Sequence, residues 1–410
     1  MAQSILRFAH AGELRLNEPL RGVGRLSASD RRIAEDAPFA AWERVVEACV
    51  DRDVAFLLLT PRTTVGPWSV LDRQRLLDGF RQLEEFGIGV YWALSADESS
   101  FGDDDVSWPD NVVRLSGPAD TATVVREGRT VATICFSAED DIEPPIDDGI
   151  DAPPETLRPL RIEIAAEPSV VDDREDGCEW LPSHRECDYL AGWGAPAART
   201  RKLSSAICSD AGSPLWRSAR EANSGGVNVV EWDGERVSDV QSMPTSPIRR
   251  IQCLLGLTPE STREEVAGQI QQTLAQIEPS APERLWIVEW QVSGTGSLFE
   301  SLRSDSTQRE VERLAAAAGD GDGGIDLVHR WVFRAADAGS SALAARLRER
   351  LSELTDSDWA GIRRELESDW AGRGFAAAAE CLAPLKAEDV REAAEERVET
   401  WLAGAAGDAA

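Results

Sequence analysis

Charged side chains follow the first three apolar runs of the chain, at points where an α/β protein builds its binding sites. Glu13 follows the first run, and Asp97 and Glu98 follow the third. Carboxylates of this kind are oxygen ligands for divalent ions such as magnesium and manganese. Arg15 and Arg62 follow the first and second runs, and a guanidinium has no lone pair to offer a metal. These segments therefore contain groups that can bind a divalent ion and groups that oppose one.

The elements between these residues alternate between strand and helix patterns. Continuous apolar runs predict strands, because strands buried on both faces are apolar throughout, and residues spaced three and four apart predict helices. The predicted strands cover 5–9, 54–59 and 88–93, and the predicted helices cover 38–50 and 68–86. This β-α-β-α-β order implies a parallel sheet with right-handed crossovers. The carboxyl ends of such strands meet at one edge, where ligands bind.

The rest of the chain predicts two further regions. Short strands continue to about residue 241, interrupted by an acidic, proline-rich loop over 138–159. Prolines near 243–247 then mark a boundary, and a mixed strand and helix pattern follows, with a capping box at Ser261 and Glu264. Leucines and tryptophans at helical spacing fill the remainder. The predicted domains are therefore 1–245, a small α+β domain at 246–336, and a helical region at 337–410.

The segment His10-Ala11-Gly12-Glu13-Leu14-Arg15-Leu16-Asn17-Glu18-Pro19-Leu20 resembles a known motif. It is similar to the opening motif of calcineurin-like metallophosphoesterases, in the version of SbcD-type DNA repair exonuclease subunits and their YhaO-type relatives: His-Ala-x-Asp-x-His-Leu-Asp-x-Pro-Leu. Further matches follow in order, at Ile88-Gly89-Val90-Tyr91, Cys187-Asp188-Tyr189-Leu190-Ala191 and Gly212-Ser213-Pro214. The resemblance covers residues 5 to about 245. It implies a four-layer α/β sandwich, followed here by the α+β cap and the helical tail.

The resemblance also identifies the positions that would hold two metal ions in this family. Glu13 stands for the first aspartate, Arg15 for the first histidine and Arg62 for the bridging aspartate. The other positions carry side chains that differ from the family pattern; they are Val65, Ala96, Asp97, Glu98, Gly194 and Pro196. No metal-binding histidine remains in the motif set. We therefore expect a degenerate site without metal cofactors, in which a guanidinium pairs with the remaining carboxylates.

Such a site implies a catalytically inactive protein that acts as a binding or regulatory subunit. In SbcD-type and YhaO-type proteins the cap and tail help to engage a coiled-coil ATPase of the SbcC class, so the resemblance implies that partner. A homodimer is a second arrangement that the relatives suggest. The alternative is an active phosphodiesterase or DNA exonuclease with a rebuilt manganese or magnesium site using Glu13, Asp97 and Glu98. Binding of a small ligand without turnover is a third alternative.

Other residues with metal-binding side chains have structural interpretations. His10 and His329 lie in apolar strands, which favours buried, hydrogen-bonded histidines. The types of Cys178, His184 and Cys187, with Cys208 downstream, suit zinc, but their spacing is not that of a standard zinc motif. For all of these histidines and cysteines, a structural role is the default interpretation.

Composition limits the partners and the compartment. The net charge is -30, and Lys202 and Lys386 are the two lysines. Because DNA affinity depends on neutralising phosphates, we expect DNA contact to be indirect or weak. Seven scattered cysteines suit a reducing cytoplasm. The chain has no apolar run of eighteen residues, which argues against a membrane span.

Overall fold

The structure is a computed structural model, and it describes part of the chain. The described residues are 5–18, 20, 23, 26–63, 69–95, 98, 107–117, 120–137, 158–165, 187–195, 198–203, 206–215, 226–318, 324–333, 355, 357, 359–364, 388, 390 and 391.

The first half of the chain builds a parallel sheet core with two helices. The elements are β1 (Leu6–Ala11), α1 (Ala28–Asp51), β2 (Phe56–Leu59), α2 (Val70–Glu85), β3 (Gly89–Ala93) and β4 (Val112–Leu115). Strands β1 to β4 pair in parallel, which confirms the predicted β-α-β-α-β order. Helix α1 begins ten residues before the predicted start at Pro38, because Ser27 and Asp30 form a capping box there and Pro38 lies inside the helix.

Eight more strands complete two six-stranded sheets. They are β5 (Thr121–Arg126), β6 (Arg129–Ser137), β7 (Leu160–Ala165), β8 (Tyr189–Gly192), β9 (Arg199–Leu203), β10 (Ala206–Asp210), β11 (Gly226–Trp232) and β12 (Val237–Pro244). Sheet I has the order β12-β11-β1-β2-β3-β4, and sheet II has the order β5-β6-β7-β8-β10-β9. Strand β11 returns to sheet I and pairs antiparallel with β1, so each sheet has a parallel centre and antiparallel strands at an edge.

The two sheets pack face to face, and helices cover the other face of sheet I. Between the sheets, Phe8 stacks on Phe56 with ring centroids 5.0 Å apart and meets Tyr189 edge-on at 5.1 Å. On the other face of sheet I, Trp42 of α1 packs against Phe80 of α2 at 5.5 Å. The predicted α/β sandwich is confirmed. The described residues form three layers, which are helices α1 and α2, sheet I and sheet II, and the fourth layer stays a prediction.

Among the described residues, the segment 248–333 contains a third sheet and three helices. They are β13 (Ile248–Leu257), α3 (Arg263–Ala275), β14 (Leu285–Gly294), α4 (Ser297–Ser301), α5 (Asp305–Ala318) and β15 (Asp326–Phe333), with the sheet order β13-β14-β15. The capping box of α3 is Thr262 with Glu265, one residue later than expected, because the Thr262 hydroxyl and not that of Ser261 accepts the backbone bond.

The chain divides into two compact units. One comprises Met1–Ile251, Glu278–Val288 and Gly323–Val328, and the other comprises Gln252–Ile277, Glu289–Asp322 and His329–Ala410. The predicted domain limits at 245 and 336 stay a prediction. Most of the predicted helical tail lies outside the described residues, although 359–364 are helical. None of the described helices is long and apolar enough to cross a membrane.

Candidate functional site

The loops that follow β1 and β2 meet at the carboxyl edge of sheet I. The backbone N–H of Arg15 donates to the carbonyl of Arg62 at 3.1 Å, and that of Leu16 donates to Thr63 at 3.0 Å. The two strands are parallel neighbours, so both loops leave the sheet at the same edge. The chain therefore places the two arginines predicted from sequence side by side.

Glu13 lies between these two guanidinium groups. Its carboxylate is 5% exposed, with Oε2 bonded to Nη2 of Arg15 and Oε1 lying 3.4 Å from Nη1 of Arg62. Arg15 also lies 3.6 Å from the carboxylate of Glu18. A buried carboxylate needs such compensation, because removal of an ion from water costs several kcal/mol. The expected pairing of guanidinium with carboxylate is confirmed at Glu13.

Glu98 holds the loops after β2 and β3 together. Its Oε2 accepts the backbone N–H of Arg62 at 2.8 Å, the backbone N–H of Ser95 at 2.9 Å, and the Ser95 hydroxyl at 2.9 Å. The residue is 2% exposed. A carboxylate oxygen with three such donors is well satisfied without a metal. Glu98 thus fixes the backbone of Arg62, while Glu13 contacts its side chain.

Both site arginines have a left-handed backbone. The φ angle is 45° at Arg15 and 67° at Arg62. A residue with a Cβ adopts this region at a cost of roughly 1–2 kcal/mol, so the surrounding contacts must hold it there. The backbone bonds between the loops and the Glu98 contacts supply that restraint. The site is therefore a fixed arrangement of two strained arginines around one buried carboxylate.

The loop after β10 supports the Glu13 segment from the other side. Gly12 packs so closely against Gly212 that a Cβ on Gly12 would lie 2.2 Å from the Gly212 carbonyl oxygen. The Ser213 hydroxyl donates to the carbonyl of Glu13 at 3.2 Å. Asp210, which is 2% exposed, accepts the N–H of Gly212 at 2.8 Å through Oδ1.

Asp210 was missed by the sequence reasoning. Its Oδ2 also accepts the N–H of Ala195 at 2.9 Å, so it links the loop after β8 to the loop after β10. The available signal was an aspartate directly before Ala211-Gly212 at a strand end, since aspartate commonly bonds backbone N–H groups two residues on. The sequence indicated short strands in this region but assigned no role to this residue.

The structure describes only some of the remaining predicted site residues. Gly194 precedes Ala195 and has a φ of 93°. Four positions lie outside the described residues: Val65, Ala96, Asp97 and Pro196. Of the alternative zinc ligands, Cys178 and His184 also lie outside them. The pairing of the guanidiniums with Asp97 therefore stays a prediction.

The side chains around the Glu13 carboxylate do not suit the binding of a divalent metal ion. Both of its carboxylate oxygens already face guanidinium groups, which have no lone pair to offer a metal. Across the described part of the chain, no group of three or more histidine, cysteine, aspartate or glutamate side chains is arranged to hold a metal.

His10 lies beneath the site in a polar network between the two sheets. Its Nδ1 lies 2.8 Å from the hydroxyl of Tyr189, and the residue is fully buried. Its cross-strand neighbour Asn228 donates to the Ser209 hydroxyl at 2.9 Å. The prediction of a buried, hydrogen-bonded histidine is confirmed. Because burial removes these groups from water, it lowers the pKa of His10 to about 3 and raises that of Tyr189.

The low pKa of His10 predicts a loss of stability in mild acid. The unfolded chain binds this proton near pH 6.5 and the folded chain only near pH 3, so the free energy of unfolding falls as pH decreases between these values. One titrating group of this kind contributes a loss of about 2 kcal/mol between pH 7 and pH 5. Urea unfolding at pH 7, 6 and 5 measures it. His10→Gln should flatten the slope relative to wild type, and an unchanged slope would show that His10 does not contribute.

The chain resembles known proteins over part of its length. It matches no protein-family model. It is 29% identical over 132 residues to the uncharacterized metallophosphoesterase YhaO of Bacillus subtilis (strain 168), a match that covers 32% of this chain and 32% of that protein. The crystal structure of TT1561 of Thermus thermophilus covers 58% of this chain and 99% of its own, with 9% identity and a TM-score of 0.33, too low to establish a common fold. The chain is thus similar, over about a third of its length, to a metallophosphoesterase.

Proposed function

We propose that this chain is a metallophosphoesterase-like protein that has lost hydrolytic activity and serves as a binding or regulatory subunit. The observation that carries the proposal is the position of Glu13, with one carboxylate oxygen facing each of two guanidinium groups. A carboxylate held in this way is charge-compensated without a metal. The pocket then keeps the position and loops of a phosphoesterase site but not its ions.

The charge of Arg62 supports the same conclusion. Two positive unit charges 4 Å apart repel by about 4 kcal/mol at an effective dielectric constant of 20, and a divalent ion doubles that figure. Arg62 is held in place by its backbone bond to Glu98 and by the bond from Arg15. An ion that entered the pocket would therefore have to displace a guanidinium whose backbone is fixed.

The proposed partner is a coiled-coil ATPase of the SbcC class, on the basis of the resemblance to SbcD-type and YhaO-type proteins. We also propose a cytoplasmic location and a homodimer as the alternative assembly. The net charge of -30 supports protein partners over direct DNA binding. Affinity purification from the native cell, followed by mass spectrometry, should recover a large coiled-coil ATPase in stoichiometric amount; recovery of the chain alone or as a dimer would contradict this partner.

Manganese binding and turnover test the loss of activity. We expect calorimetric titration with manganese to show no stoichiometric site, and bis-p-nitrophenyl phosphate to be hydrolysed no faster than in an EDTA-treated sample. The physical reason is that the guanidiniums occupy both oxygens of Glu13.

One result would contradict the loss of activity. Stoichiometric manganese binding, with turnover that EDTA removes and Glu13→Gln abolishes in a folded variant, would establish the rebuilt-site alternative. Folding of the variant is checked by circular dichroism. A matched control is Glu47→Gln, which removes a carboxylate from an exposed ion pair on α1 and should leave any activity intact.

A further inference from the structure

Two buried polar atoms beneath the candidate site have no hydrogen-bond partner among the described residues. They are Nε2 of His10 and Oδ1 of Asn228. His10 is 0% exposed and Asn228 is 1% exposed, so bulk solvent does not reach either side chain. A polar atom left unbonded at this depth costs the full free energy of its desolvation. Most buried polar atoms in folded proteins therefore have a partner, which is either a protein group or an ordered water.

The two side chains lie next to each other on sheet I and face sheet II. His10 of β1 and Asn228 of β11 are opposite each other in the antiparallel ladder, so their Cβ atoms are about 4.5–5.5 Å apart. Nδ1 of His10 bonds to the Tyr189 hydroxyl, and Nδ2 of Asn228 donates to the Ser209 hydroxyl. Tyr189 and Ser209 both belong to sheet II. A molecule that makes two hydrogen bonds of about 2.8 Å has the reach to bridge such a pair.

The surrounding side chains define the chemistry of the bridging molecule. Tyr189, Ser209 and Thr200 are hydrogen-bonded in the same network, and all three are uncharged. The pKa of about 3 keeps His10 neutral at pH 7 as well. An ion would therefore be buried here without compensation, which favours a neutral molecule. Water suits either tautomer of His10, because it can donate to both atoms or accept from Nε2 and donate to Oδ1 of Asn228.

We propose that one ordered water molecule binds between Nε2 of His10 and Oδ1 of Asn228. The water completes a hydrogen-bonded chain that begins at Tyr189 and ends at Ser209. Both ends of this chain lie on sheet II and its middle lies on sheet I, so the water helps to hold the two sheets together below the loop that carries Glu13. The inference goes beyond the proposed function and does not depend on the loss of hydrolytic activity.

A crystal structure of the full wild-type chain tests the proposal without any variant. We expect one ordered water within about 3.2 Å of both Nε2 of His10 and Oδ1 of Asn228, as in ordinary hydrogen bonds. A direct hydrogen bond between the two side chains would overturn the proposal. Lack of electron density between them, at a resolution that shows other buried waters, would overturn it equally.

Oxygen-17 relaxation dispersion tests the water site in solution, because it detects waters that are held much longer than those at the surface. Asn228→Leu removes the acceptor and should reduce the dispersion amplitude by the contribution of one water. Glu47→Gln, which changes an exposed ion pair on α1, should leave the amplitude as in wild type. An amplitude equal to wild type in a folded Asn228→Leu variant would contradict the proposal. If this variant does not fold, the crystal structure of the wild type decides.

Discussion

Replacement of Glu13 with alanine is expected to lower the free energy of unfolding by about 2–4 kcal/mol. Removal of one partner of a buried ion pair leaves an uncompensated charge, which costs about 3–5 kcal/mol when the site is fully enclosed. The cost here is smaller because the Arg15 side chain is 18% exposed and Arg62 is more exposed still. Urea-induced unfolding followed by circular dichroism measures the change.

Two further variants test whether the loss of stability in Glu13→Ala arises from the unpaired charge of Arg15. Glu47→Gln removes an exposed partner of Arg44 and should change the free energy of unfolding by no more than about 0.5 kcal/mol. In the double variant Glu13→Ala/Arg15→Ala the stranded cation is also removed, so part of the loss should be recovered. If Glu13→Ala lowers the free energy of unfolding as little as Glu47→Gln does, then the two guanidinium groups do not compensate the burial of Glu13.

Replacement of Gly12 with alanine is expected to destabilise the fold by about 2–3 kcal/mol and to loosen the site. The new Cβ would lie 2.2 Å from the carbonyl oxygen of Gly212, a distance that no relaxed structure permits. Because the atom it meets belongs to the backbone, the loops after β1 and β10 must move apart, with a cost typical of overpacking. The bond from Ser213 to the Glu13 carbonyl should be lost in the same movement.

Thermal unfolding of Gly12→Ala measures the loss of stability, and amide hydrogen exchange in the loops after β1 and β10 measures the loosening of the site. The matched control is Gly268→Ala in α3, where an added Cβ meets no atom within 4 Å. Alanine is the better helix former by about 1 kcal/mol, so this control should be stabilised. Equal stability of Gly12→Ala and wild type would show that the loops do not depend on the close approach of Gly12 to Gly212.

The order of strands and helices in the first half of the chain followed from sequence because it depends on local patterns. The apolar runs at β2 and β3 and the helical spacing in α1 and α2 are properties of neighbouring residues. The start of α1 was wrong because a proline suggested a beginning, whereas the capping side chain of Ser27 lies further upstream. An error of this kind changes where a predicted helix begins, but it does not change whether the helix is predicted.

The pairing of an arginine with Glu13 also followed from sequence, since the loops after neighbouring parallel strands leave a sheet at one edge. Sequence did not reveal that both guanidiniums would face that one carboxylate, or that Glu98 would bind the backbone of Arg62 and not its side chain. Those details depend on the left-handed φ angles of Arg15 and Arg62. No local pattern predicts such an angle in an arginine, because surrounding contacts impose it.

The order of the elements and the residue types at the end of each strand follow from local sequence patterns. Tertiary structure alone decided that β11 returns beside β1 and that the loop after β10 supports Glu13. Gly12 and Gly212 lie 200 residues apart, and their approach depends on the packing of sheet I against sheet II. Contacts between such distant segments form only when the whole sandwich has buried its core, so the candidate site is a product of the complete fold.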